Sequence, residues 1–90
     1  DVTFSPAFFG RYPGPAFGIA GTRALVGVHA RPIIGTIVKP SVGFSATQVA
    51  DLVTLLGEAG LDFVKDDELQ ADGPICPFED RVARVTEALD

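Results

Sequence analysis

The sequence contains no methionine and no tryptophan, and only one cysteine, one histidine and one tyrosine. Each scarcity closes off a class of function. A single cysteine, Cys76, forms no internal disulfide, which excludes a small bridge-stapled secreted scaffold. It also has no companion for a redox pair, so inert packing is its expected role. His29 has no histidine or cysteine partner at metal-ligand spacing and is expected on the surface or in a packing contact. Basic residues are few: 7 Lys+Arg against 12 Asp+Glu, a net charge of −5. That balance argues against a nucleic-acid backbone or an anionic membrane as partner. No apolar run approaches the roughly 18 residues of a membrane span. No basic segment followed by an apolar core marks a signal peptide. The Gly14–Gly21 stretch lacks both the G-x-G-x-x-G and the G-x-x-x-x-G-K-S/T arrangements, so nucleotide-phosphate binding is not expected there. With 90 residues and no initiator methionine, the chain is expected to be a slice of a longer protein, since domains usually run to about 100–150 residues.

What is present is apolar and unevenly charged. The chain is 47% hydrophobic and 21% charged, which excludes a disordered tail. Residues 1–44 hold one acid, Asp1, and the bases Arg11, Arg23, Arg31 and Lys39, while the other acids all follow. Residues 1–31 read as an irregular connector. Pro6, Pro13 and Pro15 remove backbone donors, several glycines allow turns, and Phe4, Phe8, Phe9, Tyr12 and Phe17 are interleaved among them. A short helix is expected over Thr22–Val26.

Residues 32–90 read as two βα units. Ile33 to Val38 is a β-branched run too short for a helix, and its lack of alternation predicts a strand buried on both faces. Ser45 reads as an N-cap, with Gln48 completing a capping box. Val49, Leu52, Val53 and Leu56 follow at the spacing of one helix face. Gly60 suits the position just past the helix end. Leu61–Lys65 reads as a second strand. A Gly/Pro-containing loop runs from Leu69 to Pro77. Phe78, Val82, Val85 and Leu89 then mark a second amphipathic helix, with Arg81 and Arg84 expected on its solvated face. Strand, helix, strand, helix makes the strands parallel. Two strands cannot bury both faces, so the order implies either a doubly wound sheet or a closed β/α barrel.

In such folds ligands bind at the carboxyl ends of the strands. Lys39 ends the first strand and Lys65-Asp66-Asp67-Glu68 ends the second, so two lysines and three carboxylates are expected along one rim. The carboxylates supply hard oxygen ligands suited to Mg²⁺. Alternation sends Lys65 and Asp67 one way and Asp66 the other, so the three acids do not all serve one ion. A lysine ammonium beside a metal repels it. Lys65 fits only as a neutral amine acting as a base or after conversion to an anion.

Gly35-Thr36-Ile37-Val38-Lys39-Pro40-Ser41-Val42-Gly43-Phe44-Ser45 resembles the first barrel strand and loop of the ribulose bisphosphate carboxylase/oxygenase large-chain family. Gly60-Leu61-Asp62-Phe63-Val64-Lys65-Asp66-Asp67-Glu68 resembles that family's second strand, and Gly14-Pro15-Ala16-Phe17-Gly18-Ile19 the segment leading into the barrel. The resemblance covers nearly the whole chain, at the family's spacing. It implies a fragment of a (β/α)8 TIM barrel, an α/β fold: residues 1–31 as a connector entering the barrel and 32–90 as the first two βα units of a C-terminal barrel domain. It implies Lys65 as the lysine carbamylated by CO₂, Asp67 and Glu68 as the other protein ligands of Mg²⁺, and Asp66 as a supporting residue. Lys39 would be the active-site lysine placed for proton transfer, and Lys65 would share the catalytic role through its carbamate. The implied substrate is a phosphorylated sugar, and the implied protein a cytoplasmic homodimer or higher homo-oligomer. Because each active site of the family draws on the partner's N-terminal domain, the 90 residues alone are expected to be inactive.

Two positions depart from the carboxylases. Where they carry a second active-site lysine, two residues after the first, this chain has Ser41. Where they carry Asn after the acidic motif, it has Leu69. The pattern is closer to the form IV carboxylase-like proteins, whose activities are enolisation, isomerisation and decarboxylation. The alternatives are a true carboxylase large chain fixing CO₂ and a non-catalytic barrel interaction protein.

Overall fold

The computed structural model describes residues 3–40 and 42–90. Two compact units divide the chain, one ending at Ala30 and the other running from Arg31 to Asp90. Ser41, the residue that departs from the carboxylase pattern, lies outside the described residues.

The first unit is more helical than its prolines and glycines predict. Helix α1 spans Pro6–Phe9, with Pro6 opening the helix and the Ser5 hydroxyl accepting from the Phe8 N–H. A proline at the first helical position costs nothing, because its missing N–H has no partner there anyway. Helix α2 spans Gly18–Val26, starting four residues before the expected Thr22. It ends on Gly27 at φ 69°, with Gly27 and Val28 N–H groups bonding back to Ala24 and Arg23 carbonyls. Phe8 stacks on Phe4 at 4.6 Å between centroids and lies 5.0 Å from Tyr12, and all three rings keep exposed faces.

The second unit carries the parallel pair. Strand β1 is Gly35–Ile37, helix α3 is Ala46–Glu58, strand β2 is Phe63–Lys65 and helix α4 is Phe78–Leu89. The strands pair parallel with Gly35 opposite Phe63, Thr36 opposite Val64 and Ile37 opposite Lys65. Both are shorter than their apolar runs predict, although backbone bonds extend the contact at each end: Asp62 N–H to Ile34 O at 2.8 Å and Val38 N–H to Lys65 O at 2.9 Å.

Local signals fix the crossover helix. Ser45 and Gln48 form the reciprocal capping box. At the other end Gly60, at φ 85°, takes a left-handed turn that lets its N–H reach Gly57 O and lets Leu61 N–H reach Leu56 O. That pair of bonds is the Schellman closure. For α4 the cap comes from further away, because Asp72 Oδ1 accepts from the Phe78 N–H at 2.8 Å. Glu79 and Asp80 in its first turn suit the positive end of the helix dipole.

Val38, Ala46, Val49, Val53 and Cys76 form the core, with Phe44, Leu52, Val64 and Val85 against it. So Val38 and Val64 turn toward the helices. By alternation Lys65 and Phe63 point to the opposite face. That face is open in this chain, where Phe63 is 48% exposed. The expectation of strands buried on both faces therefore fails here, because the helices cover one face only. Among the described residues no helix is long and apolar enough to cross a membrane.

On the open face the Phe63 ring lies over Gly35. A Cβ at Gly35 would come within 2.2 Å of that ring. Gly35→Ala is expected to cost the intact protein about 1–3 kcal/mol of stability. Combining it with Phe63→Ala should recover part of that loss in denaturant unfolding, since the two residues share one contact.

At the start of the strands Arg31 grips Asp62 through two 2.7 Å bonds, and Asp62 also accepts from the Ile34 N–H at 2.8 Å. The Arg31 hydrogen bonds, then the Ile34 N–H, pull the Asp62 carboxyl down from 3.8 to about 2. A depressed carboxyl stabilises the fold above its unfolded pKa and loses that contribution as pH falls through the folded value. Asp62→Asn should therefore flatten the fall in stability between about pH 4 and pH 2, read as Tm against pH.

Candidate functional site

The site is built where β1 and β2 end. Beyond Val38 the chain turns through a cis Lys39–Pro40 peptide bond. Lys39 Nζ donates to Asp67 Oδ2, joining the exit of β1 to the exit of β2. The Asp67 carboxylate is shut away from solvent, with its side chain 0% exposed against 55% for Lys39. A buried carboxylate needs partners, and Asp67 Oδ1 also accepts from the Leu69 N–H at 2.9 Å.

Lys65 behaves differently. Its Nζ donates to Glu68 Oε2 and to the Asp66 carbonyl, both within its own loop. Both side chains of the Lys65–Glu68 pair are more than half exposed. The hydrogen bond from Lys65 is the main reason that the Glu68 carboxyl titrates below its usual range. Asp66 points the other way, as alternation predicts, and its Oδ2 accepts from Arg81 Nε at 2.9 Å.

Arg81 is the residue that sequence reasoning misplaces. Expected on the solvated face of α4, it is 4% exposed. Its Nη1 donates to the Cys76 carbonyl at 3.1 Å and lies 3.7 Å from Cys76 Sγ. The guanidinium also sits 5.5 Å from the Phe78 ring centroid. Burial opposes its charge, but bonds to Cys76 and the Asp66 carboxylate outweigh that and hold its pKa above the ordinary value. The signal was present: Arg81 lies three residues after Phe78 and four before Val85, on the apolar stripe itself. Arg84 is exposed as expected, and so is His29, while Cys76 is buried in the core.

The structure thus joins Lys39 to Asp67 and Lys65 to Glu68, all four at the carboxyl ends of paired strands. As donors for a metal they form a hard set. Asp67 and Glu68 supply carboxylate oxygens, and Mg²⁺ is commonly held by one or two carboxylates with the rest water or substrate. Among the described residues no three His, Cys, Asp or Glu side chains gather as a complete cage. As an ammonium Lys65 cannot ligate, but its hydrogen bond to Glu68 brings its end to that carboxylate. The donor set fits Mg²⁺ if Lys65 carries an anionic oxygen. A hollow of about 430 Å³ lies on the helix side, lined mostly by apolar residues such as Val53, Val64, Val82, Val85 and Leu89, with Asp66 and Arg81 also in its wall. It does not include the lysines and is not the chemical site.

Residues 18–90 match the family model for the catalytic domain of the ribulose bisphosphate carboxylase large chain. The chain is 52% identical over 90 residues to a 3-oxo-isoapionate-4-phosphate transcarboxylase/hydrolase of Xanthobacter autotrophicus, covering 100% of this chain and 22% of the relative. It is 47% identical over 85 residues to a 3-oxo-isoapionate-4-phosphate decarboxylase of Rhizobium rhizogenes, covering 94% of this chain and 20% of that one. The crystal structure of a rubisco-like protein from Burkholderia fungorum superposes with a TM-score of 0.83 at 47% identity, covering 94% of this chain and 21% of that structure. The chain therefore spans about a fifth of the length of these relatives. The match over most of its length, with relatives about half identical across nearly all of it, places the chain in the ribulose bisphosphate carboxylase large-chain family.

Proposed function

We propose that the protein carrying this chain performs Mg²⁺-dependent enolisation chemistry on a phosphorylated sugar ketone: decarboxylation, isomerisation or enolisation, not CO₂ fixation. Its second unit forms the first two βα units of a (β/α)8 barrel, and the open sheet face carrying Phe63 lines the barrel interior. Parallel sheets are covered on both faces, which supports this reading of an uncovered one. The observation that carries the proposal is the meeting of Lys39 with Asp67 and of Lys65 with Glu68 at the carboxyl ends of adjacent parallel strands.

In this reading the Lys65 ammonium first releases one proton, and the neutral amine then adds CO₂ through a new N–C bond and releases a second proton, which turns a cation into an anionic oxygen donor. Asp67 and Glu68 hold the metal with it. Bound Mg²⁺ supplies Lewis-acid stabilisation of the negative charge that develops on a ketone oxygen. Lys39, tied to the ligand Asp67 and half-exposed toward the site, delivers or removes a proton at the reacting carbon. Two relatives act on 3-oxo-isoapionate-4-phosphate. A 3-oxo acid suits the same residues, because loss of its carboxyl group as CO₂ leaves the bonding electrons to be spread onto the ketone. Ser41 supports the choice against CO₂ fixation, because a hydroxyl cannot supply the cation that the carboxylases place there. The full protein is a homodimer or larger homo-oligomer, with the remaining site residues outside these 90.

The test uses the full-length protein with Mg²⁺ and bicarbonate, following proton exchange beside the ketone or release of CO₂ from a phosphorylated 3-oxo acid. Chelation and Lys65→Ala should each abolish turnover. Lys39→Met should lower kcat by about 10²–10⁴-fold, the usual worth of a general acid or base, while metal binding persists. Full activity in Lys65→Ala would remove the ligand assignment. Incorporation of labelled CO₂ into ribulose bisphosphate would replace this reading with a carboxylase.

A further inference from the structure

Asp66 stands between two proposed metal ligands, and its two oxygens do separate jobs. Oδ2 accepts from Arg81 Nε at 2.9 Å, and Oδ1 accepts from the backbone N–H of Asp67 at 2.9 Å. Arg81 is itself immobilised. It is 4% exposed, bonded to the Cys76 carbonyl and close to the Phe78 ring. Cys76 belongs to the same core as Val38, which immediately precedes Lys39. A continuous path therefore runs from the packed core through Arg81 and Asp66 to the Asp67 backbone. Beyond it, Asp67 Oδ1 accepts from the Leu69 N–H. Without the Arg81 anchor, Asp66 would be a half-exposed side chain on a loop, free to turn to water. The Asp67 N–H would lose its acceptor.

We propose that Arg81 is a positioning residue for the metal site: by fixing Asp66 it sets the backbone at Asp67 and so aims the Asp67 carboxylate. This rests on the Mg²⁺ reading above for its purpose, while the anchoring itself can be read without metal. Groups that orient ligands from behind typically change metal affinity by about 10–100-fold when removed.

The test uses the full-length protein. In the metal-free state, amide hydrogen exchange at Asp67 should be about tenfold or more faster in Arg81→Met than in the unaltered protein, a size chosen to match the lost affinity. Exchange within α3 should be unchanged. In the presence of bicarbonate, Mn²⁺ titrated by electron paramagnetic resonance should bind about 10–100-fold more weakly to Arg81→Met and to Asp66→Ala. The double variant should be no weaker than Asp66→Ala alone, because the two residues act along one path. Arg81→Lys, which keeps a cation facing Asp66, should recover part of the affinity, a rescue that a purely packing role would not give. If Arg81→Met does not fold, Asp66→Asn serves instead, since it keeps an acceptor for Asp67 but offers Arg81 Nε a donor. Unchanged Mn²⁺ affinity in Asp66→Asn or Arg81→Met, unchanged Asp67 exchange, or single effects that multiply in the double variant would each overturn the proposal. If the unaltered protein binds no Mn²⁺ while Asp67 exchange still depends on Arg81, the metal reading fails and the anchor stands as structural.

Discussion

The parallel pairing of two three-residue strands is the constraint from which the rest of this unit follows. With Ile37 beside Lys65, the chain leaves both strands at one edge, and Lys39 reaches the loop that follows Lys65. A shift of the pairing by one residue would turn every side chain of one strand to the other face. Val64 would leave the core and Lys65 would enter it. The register is held from both sides. Val38 and Val64 pack under the helices, and Arg31 with Asp62 clamps the opposite end of the strands.

The loop after β2 joins the elements through charge. Lys39 comes from the exit of β1, Arg81 from α4 and Lys65 from the end of β2, and each meets a different carboxylate of the run Asp66-Asp67-Glu68. A run of like charges at a strand exit would ordinarily be solvated. Here two of the three acids are tied to other elements, so the run works as a junction between β1, β2 and α4.

How far this was legible in the sequence depends on the kind of signal. Elements fixed by local chemistry were readable: the Ser45–Gln48 box, the left-handed Gly60 turn and the apolar stripes of α3 and α4 all depend on residues a few positions apart. The start of α2 was not, because Gly18 and Gly21 read as breaks, yet Gly21 keeps an ordinary helical bond from its N–H to Phe17 O. The strand lengths were overestimated because apolar β-branched runs report burial, and two strands pair only where their registers overlap. In the site, the convergence of Lys39 with the acidic run followed from topology. Which lysine meets which acid did not, since that depends on side-chain reach across the pair. Arg81 was misjudged because a charged residue was assumed to seek water, although its position lay on the buried stripe and Asp66 stood ready to neutralise it.

The two lysine–carboxylate pairs also differ in a way that matches their proposed tasks. Lys39 holds a carboxylate that solvent does not reach. Releasing Asp67 from its donors would leave a buried charge without compensation, which is costly, so its geometry is firmly set. The Lys65–Glu68 pair is local, three residues apart and open to water on both sides, and such surface pairs contribute little to stability. The loop thus ties the Asp67 carboxylate through Lys39, Leu69 and the Arg81–Asp66 anchor, and leaves Lys65 accessible beside it.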